Sequence, residues 1–121
     1  MAESFDRQID RWQMLADRVE TELTEVQKAL VQATARQKEM AEEAAKLRQM
    51  KEQYLHDLAA QQQHKHGVKP PPPVTRFWIH LDETVIAVEQ QLRQKEAARR
   101  KVEQRYRVLY QEHSKFEALR G

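Results

Sequence analysis

Apolar residues recur along the first half of the chain at spacings that alternate four and three. From Phe5 the series runs through Ile9, Trp12, Ala16, Val19, Leu23, Val26, Leu30 and Ala33. It continues through Met40, Ala44, Leu47, Tyr54 and Leu58, and only Gln37 and Lys51 interrupt it. A sustained repeat of this kind keeps one narrow stripe against a partner helix, as in a left-handed coiled coil. The intervening positions are rich in Glu, Gln, Lys and Arg, which favour helix. Glu42 and Lys46 stand at the stabilising four-residue spacing. Ser4 is the expected N-cap, with Asp6 in the first turn.

The pattern stops at Gln61–Gly67, where basic residues and a Gly mark a helix end. Pro70, Pro71, Pro72 and Pro73 follow, and such a run suits a stiff extended segment. Thr75 is then the expected cap of a second helix. Its stripe reads Trp78, Leu81, Val85, Val88, Leu92, Lys95, Arg99, Val102, Tyr106, Leu109, His113 and Phe116. Short connections make neighbouring helices antiparallel. The expected fold is therefore all-α, a long antiparallel two-helix coiled-coil hairpin forming one domain over residues 1–121. Helix 1 is expected near 3–64, a Gly/Pro loop at 65–74 and helix 2 near 75–119. Helix 1 would measure about 90 Å at 1.5 Å per residue, and helix 2 about 65 Å. Helix 1 would then overrun helix 2 and leave Phe5, Ile9 and Trp12 partly without a seam partner. An apolar helix end in that state calls for another protein.

Composition narrows the picture further. Charged residues make up 33% of the 121, and only 2 are Gly, which argues against sheet folds with their many tight turns. Zero Cys removes disulfides and thiolate chemistry and suits a reducing cytoplasm. No apolar run long enough to span a membrane is present, and the acidic start Met1–Ser4 lacks the apolar segment of a signal peptide. The net charge of +2 is uneven. Residues 1–50 carry −2, residues 51–92 carry −1, and residues 93–121 carry +5. Those basic residues are interleaved with acids along the sequence, so no clean basic stripe is expected and nucleic acid is not an expected partner. A two-helix hairpin offers no concave site for catalysis. The five His residues are scattered, with His64 and His66 placed at a helix end, where their charge complements the dipole. The chain is expected to be no enzyme and to need no cofactor or metal.

The entry to helix 2, Trp78-Ile79-His80-Leu81-Asp82-Glu83-Thr84-Val85 followed by Val88, Glu89 and Leu92, resembles the FliJ/YscO family of coiled-coil export proteins. The end of helix 1 is similar too, with Met50 and Tyr54 where that family has two tyrosines. The chain departs from the pattern in its shorter length, its Pro run, and Leu81 and Thr84 in place of aromatics.

The resemblance implies a stalk and adaptor of flagellar or type III protein export, cytoplasmic and peripheral to a bacterial inner-membrane apparatus. Its implied partners are a hexameric export ATPase, the cytoplasmic domain of the export-gate membrane protein, and export chaperones. The implied gate contact comprises Leu47, Met50, Tyr54 and Val88, with Glu43, Thr84, Gln91 and Lys95 on the same stripes. The implied ATPase contact comprises Phe5, Ile9 and Trp12 with Arg99, Arg100 and Arg105. A generic coiled-coil scaffold or tether is the alternative.

Overall fold

The computed structural model describes residues 2–64 and 71–120. The chain is an antiparallel hairpin of two helices, α1 (Ala2–His64) and α2 (Pro72–Arg120), with no strand among the described residues. No Gly lies in either helix, and the prolines of α2 stand at its first two positions.

The start of α2 differs from expectation. It begins at Pro72, and Thr75 lies inside it. The carbonyl of Pro71 accepts the N–H of Val74 at 3.0 Å and of Thr75 at 3.3 Å, which closes the first turn. The first turn of a helix leaves its N–H groups without intrahelical partners, and Pro72 and Pro73 have none to leave. Prolines thus open this helix where a mid-helix proline would break it. Ser4 is not the cap of α1 either, because α1 begins at Ala2 and nothing in Ala2-Glu3 interrupts it. Of the expected loop, residues 65–70, with the Gly67 cap and His66, lie outside the described residues.

The chain divides into two compact units, and both helices contribute to each. Unit 1 is Met1–Ala35 with Ala97–Gly121, and unit 2 is Arg36–Glu96.

In unit 1 the core is Ala16, Val19, Leu23 and Leu109. Val26, Leu30, Ala33, Val102, Tyr106, His113 and Phe116 are half-buried around it. The antiparallel register shows in Trp12 against Phe116, with ring centroids 5.5 Å apart and edge-on, and in Glu22 with Arg105 at 3.8 Å. Arg120 adds a contact to Asp17 at 3.9 Å. In this unit the α1 segment carries an excess of acids and the α2 segment an excess of bases. The two segments therefore attract, weakly in solvent.

In unit 2 the core is Ala44, Leu81, Val85 and Val88, with Ala44 only 1% exposed. Met40, Leu47, Tyr54, Leu58, Trp78 and Leu92 are half-buried. Arg48 reaches Glu89 at 2.7 Å. Lys51, the charged interruption of the α1 stripe, is half-buried and paired with Asp82 of α2. The Tyr54 hydroxyl donates to the Val74 carbonyl at 3.1 Å, and its ring lies 4.9 Å from that of Phe77. Trp78 places its indole nitrogen out of solvent, with no acceptor among the described residues.

Candidate functional site

Each set of residues implied by the family resemblance falls inside one unit. The gate set lies in unit 2. Of its members, Val88 is buried and Leu47 and Tyr54 are half-buried, so their apolar surface is largely taken up in pairing the two helices. Met50 is different. It falls between stripe positions and is 52% exposed. Glu43 and Gln91 are exposed, and Thr84 and Lys95 are half-buried.

Phe77 belongs with Met50, although sequence reasoning passed over it. It is 49% exposed and lies against Tyr54. Positions seven apart share a helix face, so Glu43 and Met50 border the α1 stripe while Phe77, Thr84 and Gln91 border that of α2. In an antiparallel pair these two borders meet on the same flank. Met50 and Phe77 thus stand on one flank of the pair, which also carries polar Glu43, Thr84 and Gln91. Phe77 stands one residue before the stripe position Trp78, so the stripe gave no signal for it. Its aromatic character at a border position was the available clue.

The ATPase set lies in unit 1. Phe5 is 64% exposed, and Ile9 and Trp12 are also open to solvent. Trp12 nevertheless has a seam partner in Phe116, so the expectation of an unpaired stretch as far as Trp12 is corrected. Met14, Leu15 and Leu119 extend the exposed apolar surface, and they too went unnoticed because they lie off the stripe. Two shallow grooves flank the Trp12–Phe116 contact. One is lined by Ile9, Ala16 and Leu119, the other by Leu15, Val19 and Leu119.

The three arginines of the set differ in their surroundings. Arg99 is half-buried and paired with Glu103 one turn on. Arg105 reaches Glu22 of α1. Arg100 is exposed and makes no ion pair among the described residues. Among the described residues no polar or charged residue is buried, and no group of three His, Cys, Asp or Glu side chains converges. No described helix is long and apolar enough to cross a membrane. Among the described residues, large apolar side chains are exposed in both units, Phe5, Ile9 and Trp12 in one and Met50 and Phe77 in the other, with Leu55, Ile79 and Ile86 also open in the second. No protein-family profile, curated protein or solved structure matches this chain.

Proposed function

We propose that this chain is a non-enzymatic stalk and adaptor of a bacterial flagellar or type III export apparatus, and that it joins the hexameric export ATPase to the cytoplasmic domain of the export gate. The observation that carries the reading is that large apolar side chains stay exposed in both units of one helical hairpin. Phe5, Ile9 and their neighbours are the exposed apolar residues of unit 1, and Met50 and Phe77 stand on one flank of unit 2. A protein with exposed apolar side chains in both units can hold two partners at once, which is what an adaptor does. In a symmetric ring, an asymmetric hairpin contacts successive subunits differently. It biases their conformations by those differences in contact energy. Export chaperones are further candidates for either surface, and the working place is the cytoplasm beside the inner membrane.

The test is titration of the purified export ATPase hexamer with the full chain. Phe5→Asp combined with Ile9→Asp is expected to weaken binding about tenfold, because a charge placed in an apolar contact is costly. Circular dichroism should not change, since neither residue is part of the buried core. Undiminished binding by the double variant would remove the stalk reading and leave the generic scaffold.

A further inference from the structure

Along the sequence the basic residues near the C-terminus alternate with acids, but in the fold they separate. With the α2 stripe turned to α1, the outward face in unit 1 consists of Ala97, Arg100, Lys101, Gln104, Arg107, Val108, Gln111, Ser114, Lys115 and Ala118. Every one of them is exposed, and none is acidic. The acids stand on the two borders of the stripe, Glu103 and Glu117 on one side and Glu112 on the other. Glu103 is held between Arg99 and Arg107, and Glu117 lies near His113 and Arg120. Arg100, Lys101 and Lys115 make no ion pair or side-chain hydrogen bond among the described residues. The face is therefore basic on balance although the sequence interleaves its charges, and of its four cations Arg107 is already held by Glu103.

We infer that this face binds an acidic α-helix of a partner protein, laid lengthwise along α2. The inference does not depend on the export reading and would hold for a scaffold equally. Three features select a helix among anionic partners. Ala97, Gln104, Gln111 and Ala118 repeat every seven residues and form an uncharged track down the middle of the face, small at its two ends and polar at Gln104 and Gln111. Basic side chains line both sides of it, Arg100 and Arg107 on one and Lys101 and Lys115 on the other. A helix carrying Glu or Asp on both borders of a small-residue track would meet them in register, as flanking charges do in coiled coils. The cationic face extends from Arg100 to Lys115, about 22 Å at 1.5 Å per residue, or roughly four turns of such a helix.

Competing anions fit less well. A single nucleic-acid strand needs aromatic platforms for its bases. The face has none, because Tyr110 lies off it beside Tyr106 at 6.0 Å. A duplex is wider than the face, so its phosphates would meet the bordering Glu103, Glu112 and Glu117. A helix about 10–12 Å across would not. An amphipathic membrane contact needs a broad apolar strip, and Val108 is the one large apolar residue on the face.

The experiment uses the full chain and three labelled probes. These are a four-heptad helical peptide with an Ala track and Glu on both borders, a 20-base-pair DNA duplex, and vesicles containing phosphatidylserine. The peptide should bind most tightly, and its binding should weaken as salt is raised. Arg100→Glu with Lys115→Glu is expected to weaken peptide binding about tenfold. Lys28→Glu with Lys46→Glu makes the same change in net charge on exposed α1 positions and should leave binding as it was. The neutral pair Arg100→Gln with Lys115→Gln, with no repulsion to destabilise the fold, should give a smaller loss. Equal losses in the α1 and α2 variants would reduce the effect to net charge and overturn the inference. No peptide binding, or tighter binding of duplex or vesicles, would overturn it as well.

Discussion

Leu109→Ala will lower the free energy of unfolding by about 2–4 kcal/mol, the range for emptying a buried leucine site. Leu109 is 4% exposed and belongs to the small core of unit 1. A two-helix seam has few layers, and each is closed by a handful of side chains. The neighbouring layers are Tyr106 and His113, both half-buried, and neither can fill the space by a simple change of rotamer without losing its own contacts. The neighbouring residue provides the control. Val108 is exposed, so Val108→Ala should stay within about 0.5 kcal/mol. Urea denaturation of the two variants reads the difference directly. Comparable losses at both positions would mean that α2 is rotated about its axis relative to the register described here.

The second large effect is expected on the flank of unit 2. On the proposed adaptor reading, Met50→Asp combined with Phe77→Asp should weaken binding to the export-gate cytoplasmic domain about a hundredfold. Exposed apolar anchors at the centre of an interface carry most of its energy, and two desolvated carboxylates in their place oppose association. Stability should change little, because Met50 lies off the stripe and Phe77 contributes mainly its face to Tyr54. Val88→Ala offers the contrasting outcome. Val88 is buried, so its loss should destabilise unit 2 and reach the partner only through the fold. If Val88→Ala reduced binding at unchanged stability while the Met50/Phe77 variant bound normally, the contact would have to lie elsewhere.

How much of this was legible in the sequence follows from what periodicity records. Every α1 stripe position from Ala16 to Leu58 and every α2 position from Trp78 to Phe116 is buried or half-buried. Even the charged interruptions Lys51 and Arg99 lie in the seam, each beside an acid. The repeat carries this information because burial on one face is what imposes it. The start of α2 was not legible, since a run of prolines reads as a break until it is seen that two of them occupy a turn needing no donor. Phe77, Met14 and Leu15 were missed because a stripe says nothing about the residues beside it. The acid-free face of α2 was missed because charges were compared along the chain, whereas α-helix geometry sorts them around an axis. The ion pairs of Arg99 with Glu103 on its own helix and of Arg105 with Glu22 on the other depend on side-chain reach, which spacing alone does not fix.

The antiparallel register also sets an order in time. The contact of Tyr54 with Val74 closes a separation of 20 residues. The contact of Trp12 with Phe116 closes nearly the whole chain. The entropy lost on closing a loop grows with the logarithm of its length, so the distant contact, formed first, would cost about 1–2 kcal/mol more. Once the near pairs are made, each further layer closes only a short additional loop. We therefore expect the hairpin to zip from unit 2 towards unit 1, with a nucleus around Tyr54, Trp78 and Leu81. Pulse-labelled amide exchange during refolding should find α1 and α2 amides of unit 2 protected before those of unit 1, and the reverse order would exclude zipping. On this ordering the apolar surface around Phe5 and Ile9 is bordered by the last layers to close and the first to reopen. A partner bound there would act on unfolding speed more than on folding speed.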